Sequence, residues 1–567
     1  MIERRIALNS LAEDDFDVLV IGGGITGAGV ALDAASRGLS VALIERDDFA
    51  CGTSSRSSKM VHGGLRYLQN FDIALVREAL IERRIMVEMA PHLVWPTPFL
   101  VTAFEGERID RKVGIGLNMY DVMQRGSASS RSEKRSRAEA AGVSLRQYRR
   151  QNPRDWSPER HRVIEGEEVR ELVPALADAA PRSAYLFYDC QTDDARLVLT
   201  VLGEAERYGA LIANRLEATE LIERDGKIVG VKTRETESGA DIEITARHIV
   251  SATGVWADQL EPTDAREQDV PTIRPSRGTH ITLSNTDLPL DKAAVVVPAG
   301  EGRMIFALPW MGRTLVGTTD NDYEGDLRHI APGEDDVQYL LDAVNNYFST
   351  ALTKLHITGA YAGARPLIST GDSHKSVDIS RKAELYESPS GMITITGGKL
   401  TTWRPMAAMV VDRVVARERR EAPCRTEEIP LGQPMNPEDL VPSPAIDDAG
   451  RKHLAGRYGF AANDVLELAA QDPQLGLRIV PDMPDRLAEV VIAVRREQAR
   501  SISDVLLRRT RLGLLAARDL VGLGHPAEPV ESVAALMGRE LGWSDERRQL
   551  EIKAWDKVAA EEGILPQ

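Results

Sequence analysis

Residues 17–45, DVLVIGGGITGAGVALDAASRGLSVALIE, restrict the fold more than any other stretch of this chain. Residues 18–21 make a short apolar strand, glycines follow, and 25–37 alternate small and apolar residues at helical spacing. Gly38 ends that helix, and 41–44 form a second strand leading to Glu45. The pattern predicts a βαβ unit. Gly22-x-Gly24-x-x-Gly27 stands between strand and helix, where a dinucleotide fingerprint belongs. Gly22 permits the tight turn, Gly24 admits a pyrophosphate to the backbone, and Gly27 lets helix and strand pack closely. The helix then directs its free N–H groups and positive dipole end at phosphate. Glu45, at the end of the second strand, can accept hydrogen bonds from a ribose hydroxyl.

A chain of 567 residues is too long for one ordinary core, so two or three domains are expected. A formal charge of -16 argues against a nucleic-acid partner, because phosphate binding wants a basic footprint. Cys51, Cys190 and Cys424 lie far apart with no CxxC, which speaks against a disulfide framework, a metal site or an iron–sulfur cluster. That usage fits a reducing cytoplasm. The first residues, MIERRIALNSLAEDDFD, lack the apolar core of a signal peptide. No run approaches the roughly 20 apolar residues of a membrane span, so membrane contact is expected to be peripheral.

Charged helical sequence runs from 71 to 90 and ends at Pro91, Pro96 and Pro98. Residues 125–162 carry eleven Lys and Arg against four Asp and Glu, and read as an exposed basic insertion. An anionic-lipid patch is the alternative for it. Strand-like runs occupy 184–320, a proline-rich linker covers 421–444, and amphipathic helices fill 445–567. The expected division is a discontinuous cofactor domain (1–100, 185–262, 386–420), a substrate domain (101–184, 263–385), the linker and a helical domain.

Three further stretches carry chemistry. SSRSSKMVHGGLRYL (54–68) fits neither helix nor strand; its hydroxyls, cations and glycine pair suit backbone passing close to an anion. ATGVWAD (252–258) ends a strand in a form suited to running beside a cofactor. GGKLTTWRPMA (397–407) is a glycine pair opening into a helix, whose N-terminus could face the pyrimidine edge of a flavin. Two anion-friendly helix starts far apart in sequence favour a long cofactor, FAD, over a nicotinamide nucleotide.

These stretches, with DDARLVL (193–199), GTTD (317–320), GARPL (363–367) and LRRTRLG (507–513), resemble in order FAD-dependent, quinone-linked glycerol-3-phosphate dehydrogenases of the aerobic type, over essentially the whole chain. Trp403 departs from the more usual tyrosine, and 125–162 looks longer than the family pattern. The resemblance implies an α/β fold: a Rossmann-like FAD-binding domain of the glutathione-reductase/D-amino-acid-oxidase type, an antiparallel-sheet substrate domain and an all-helical C-terminal domain. It implies a non-covalent FAD site from Gly22, Gly24, Ile25, Thr26, Gly27, Glu45 and Arg46, then Thr53, Ser54, Ser55, Ser58, Lys59, His62, Gly63 and Gly64. Gly254, Gly397, Gly398, Lys399, Leu400 and Thr401 complete that set. Arg66, Tyr67, His280, Thr318, Arg365, Arg381 and Lys399 would bind glycerol 3-phosphate, with His280, Arg365 and Lys399 catalytic. Several cations suit a phosphate dianion, and His280 is the candidate for proton transfer. The resemblance also implies oxidation to dihydroxyacetone phosphate and electrons passed to a membrane quinone at the cytoplasmic face; the helical domain offers a packing surface for a homodimer. The alternatives are an oxygen-using oxidase, an amine or amino-acid oxidase, and a non-catalytic flavin- or nucleotide-binding protein.

Overall fold

The computed structural model describes residues 4–65, 72–106, 109–125, 159–266, 271–300, 302–368, 383–522 and 526–566, to which every structural statement refers. Most of the basic insertion, and the positions of Arg66, Tyr67 and Arg381, lie outside them.

Strand Asp15–Ile21 is buried after its first residue, as befits a strand covered on both faces. It pairs in parallel with Val41–Ile44 on one side and Asp241–Ser251 on the other. Parallel pairing continues outward to Leu211–Ala213 at one end and Ile393–Gly397 at the other. Strand Ala383–Glu387 and the hairpin Leu216–Arg224/Lys227–Glu235 add antiparallel edges. The fingerprint helix Ile25–Ser36 packs against the helices Asp194–Arg207 and Trp403–Arg417. Trp403 is fully buried there: a Cβ on Gly29 would lie 2.6 Å from its ring, so the small residue makes room for the large one.

The second sheet has ten strands, built around Ile273–Ser284, Met304–Trp310, Val94–Phe104 and Pro181–Thr192. Its pairings are antiparallel except that between Ala294–Pro298 and Val94–Phe104. Val94–Phe104 and Pro181–Thr192 cross the divisions expected at 100 and 185. Both strands are continuous through those positions, and Pro181–Thr192 runs straight into Asp193, whose carboxylate caps the next helix.

The C-terminal residues form helices Asp448–Tyr458, Ala462–Gln471, Leu487–Glu497, Glu528–Leu541 and Asp545–Glu561. Trp555, Val505 and Met537 share one apolar core with Phe99, Trp310 and Leu315 of the second sheet, so the helical unit is packed onto that sheet. No described helix is long and apolar enough to cross a membrane.

Candidate active site

A cavity of about 1840 Å³ is lined by residues from both sheets. At one end lies the fingerprint. Gly22 has φ +111°, and a Cβ there would stand 2.7 Å from the Ala252 carbonyl oxygen, so glycine is required on two counts. Gly24 precedes the helix, and Ser54 Oγ accepts the Ile25 N–H at 2.9 Å. A Cβ on Gly27 would meet the Gly22 carbonyl oxygen at 1.9 Å; this glycine serves packing and does not line the cavity. Glu45 accepts the N–H groups of Gly23 (2.7 Å) and Asp47 (2.8 Å), which fixes its carboxylate at the cavity wall. Burial pushes its pKa above the usual range, although both N–H bonds oppose that. Beside it the Arg46 guanidinium lies over the Trp256 ring, 4.7 Å from the centroid.

The SSRSSKMVHGG strip runs along the same cavity. Thr53, Ser54, Ser58, His62 and Gly64 line it, as do Gly254, Gly397, Gly398, Lys399, Leu400 and Thr401. Two of the motifs are stitched together: His62 N–H donates to Thr401 Oγ1 at 3.3 Å, and that hydroxyl donates to the His62 carbonyl at 3.4 Å. Thr396 Oγ1 donates to the Gly254 carbonyl at 3.0 Å, tying the ATG turn to the strand before GGKLTT.

Lys59, expected beside the cofactor, faces the other way. Its ammonium is fully buried, donates to Asp194 at 2.8 Å and to the Ser55 carbonyl at 2.7 Å, and sits 4.5 Å from the Tyr361 ring centroid. Lys59 takes φ +59°, and its side chain enters the core, where the buried carboxylate of Asp194 receives it. Ser55 is likewise buried behind the wall. Gly63 is also off the cavity; its N–H donates to Tyr120 Oη at 2.8 Å, and a Cβ would strike Leu80 at 2.5 Å.

At the far end the second sheet brings His280, Thr318 and Arg365 together. His280 lies opposite Gly317 on one neighbouring strand and Tyr361 on the other. Its ring stacks on Tyr361 at 4.7 Å, and its Nε2 shares a 2.8 Å hydrogen bond with Ser58 Oγ. Burial, then the charges of Lys59 and Arg365, drive its pKa well below the usual value, so the imidazole is neutral at neutral pH. Arg365 donates to Asp320 (3.1 Å), Thr318 Oγ1 (3.1 Å) and the Thr319 carbonyl (3.2 Å). Gly278, on the His280 strand, leaves space for this guanidinium.

Asp320 and Trp256 were within quoted motifs yet carried no assigned role; their signal was adjacency to Thr318 and Gly254. Arg56 lines the cavity and bonds Glu562 of the helical unit at 2.7 Å, a pairing that no spacing in the sequence announces.

A family model described as "FAD dependent oxidoreductase" matches residues 17–412. Together with the fingerprint, the glycine cradle and the cavity, it makes this chain an FAD-dependent oxidoreductase. A second model, "C-terminal domain of alpha-glycerophosphate oxidase", matches residues 424–548. Glycerol-3-phosphate dehydrogenase 2 of Mycobacterium tuberculosis is 34% identical over 546 residues, covering 94% of this chain and 87% of the relative. The mitochondrial enzyme of Rattus norvegicus is also 34% identical, with 95% and 72% covered. The chain belongs to the FAD-dependent glycerol-3-phosphate dehydrogenase family. The solved structure of such a dehydrogenase from Bacillus halodurans, complexed with FAD, superposes with a TM-score of 0.76 at 27% identity, covering 99% of this chain and 97% of that one.

Proposed function

We propose that this protein oxidises sn-glycerol 3-phosphate to dihydroxyacetone phosphate, with FAD lying from the fingerprint to the GGKLTT turn. The observation that carries this is a single cavity with a glycine-cradled helix start and a ribose-type carboxylate at one end and Arg365, Lys399, Thr318 and His280 further along. FAD fits the residues present: Gly22, Gly24 and Thr26 line the cavity at the helix start, and Glu45 is held ready there as an acceptor. When bound, FAD would supply the two-electron redox chemistry that oxidises the C2 alcohol.

The chain's own residues bind, orient and handle the proton. Arg365 and Lys399 attract the phosphate dianion or the developing alkoxide, and Thr318 adds a hydroxyl. Arg365 is pre-aimed, because Asp320 and the Thr319 carbonyl hold its fork. Fixing the phosphate fixes C2, which turns binding energy into rate. His280 Nε2 takes the C2 hydroxyl proton; burial keeps it in the neutral, accepting form. Anaerobic addition of glycerol 3-phosphate should bleach the visible flavin band, and amino acids should not. No bleaching with glycerol 3-phosphate sinks the proposal. His280→Ala should lower kcat and alter its pH profile; an unchanged pair removes the base assignment.

Electrons then pass to a membrane quinone, which the chain approaches as a peripheral protein at the cytoplasmic face. Helix Arg111–Arg125 supports this: Ile115, Met119 and Val122 are exposed on one side, near exposed Arg111 and Lys112. Ile115, Met119 and Lys112 also line the cavity, placing an apolar, basic-edged surface beside it. The second family model's name keeps oxygen as the rival acceptor. Turnover with a short-chain quinone, without stoichiometric peroxide, supports the first; stoichiometric peroxide in air supports the rival.

A further inference from the structure

LRRTRLG has no part in the reaction just described, although all three of its arginines are buried. Arg511 is 0% exposed and takes φ +67°. Its guanidinium donates to Asp194 (2.8 Å), the Ser55 carbonyl (2.8 Å) and the Leu507 carbonyl (2.9 Å). Asp194 also accepts the Ser57 N–H (3.0 Å) and hydroxyl (2.7 Å), and pairs with Lys59 (2.8 Å). Arg509 grips Asp48 with two 2.8 Å bonds, and Arg508 donates to the same carboxylate. The two wall segments held this way are 45–54 and 53–59. Their outward sides present Glu45, Arg46, Ser54 and Ser58 to the cavity. The helical unit therefore braces both segments from behind, across 456 positions of sequence in the case of Arg511 and Ser55.

We infer that Arg511 is a positioning residue of the FAD site, and that the C-terminal helical unit is thereby part of that site. The inference rests on the placement of FAD proposed above. One guanidinium serves three acceptors in different directions, two of them on other elements, which a lysine ammonium on a single stem cannot reproduce. The turn Thr53–Ser55 has few internal bonds of its own, so its shape is set by what holds Ser55 and Ser57. Asp194 is held from three sides, by Ser57, Lys59 and Arg511, and such a buried polar network favours one conformation. Here the conformation specified aims Ser54 Oγ at the Ile25 N–H and Ser58 Oγ at His280.

The test uses the full-length chain, stripped of FAD and titrated with it, reading flavin fluorescence and the visible circular dichroism of bound flavin. Arg511→Lys should weaken FAD binding by about ten- to a hundredfold and change the dichroic band. Arg486→Lys is the control, because Arg486 is also buried, at 5% exposure, but its side chain bonds Asp447 and the Gly476 carbonyl, both within the helical unit. It should lower the melting temperature yet leave FAD affinity within about twofold. Should Arg511→Lys fail to fold, Asp194→Asn keeps the shape, removes the shared charge and is expected to weaken FAD in the same way. Native affinity and a native band in whichever of these folds overturn the inference. So does an equal loss of FAD in Arg486→Lys, which would mean general destabilisation. Glu45→Gln separates the two readings. If it weakens FAD while Arg511→Lys does not, only the role of Arg511 falls; if neither does, the placement of FAD falls and the inference with it.

Discussion

Gly278→Ala isolates the geometry of the cationic end. An added Cβ would stand 2.5 Å from Arg365 Nη2 and 2.6 Å from Thr318 Oγ1, about 1 Å inside ordinary van der Waals contact. What must yield is the tip of a long side chain and a rotatable hydroxyl, not backbone. Stability should therefore fall by less than about 1.5 kcal/mol, toward the low end for overpacking. Function should suffer more. The guanidinium cannot retreat without lengthening its 3.1 Å bonds to Asp320 and Thr318. A displacement of about 1 Å in a positioning group costs on the order of a hundredfold in rate. Steady-state kcat/KM for glycerol 3-phosphate, with FAD content and melting temperature measured on the same sample, separates the effects. The expected result is full flavin, near-native melting and about a hundredfold lower kcat/KM. Full activity would refute the role of Arg365. Loss of flavin would show that the glycine serves the cofactor instead.

Gly22→Ala should lose FAD and about 1–3 kcal/mol of stability, since φ is +111° and the obstacle at 2.7 Å is a backbone carbonyl; flavin content and chemical unfolding check both. Burial alone lowers the His92 pKa to about 4 in the folded chain. The unfolded state then binds the extra proton first, so this contribution is whole above pH about 6.5 and is lost as pH falls from there toward 4. Urea unfolding across that window should show a slope near 1.4 kcal/mol per pH unit from this residue, abolished in His92→Asn. His280, whose pKa burial and the charges of Lys59 and Arg365 also lower, should place the acid limb of kcat/KM well below pH about 6.5; a limb at the ordinary histidine value would contradict its burial. Val122→Glu, at a position 67% exposed, should abolish cosedimentation with anionic vesicles while dye-linked turnover in solution persists. Unchanged vesicle binding removes helix Arg111–Arg125 from the membrane face.

What the sequence determined unaided was whatever depends on near neighbours. Strand, glycine turn, helix and strand from Asp15 to Ile44 follow from local periodicity and from the sterics of Gly22 and Gly27. The start of the GGKLTT turn and the helical character after the proline-rich linker were legible for the same reason. The resemblance pointed to Arg365, His280 and Thr318 in separate parts of the chain, but their meeting is a product of register in the second sheet, where Ile273–Ser284 pairs with both partner strands. Lys59 shows the limit most plainly. Its neighbours in sequence suggested a phosphate ligand, yet the carboxylate that claims it is 135 positions away and the arginine that shares that carboxylate is 317 further on. A charge goes to the partner that best offsets its desolvation, and that partner is chosen by how the chain packs, not by which residues precede it. Which side of the cavity wall each polar group faces was therefore decided by tertiary structure alone.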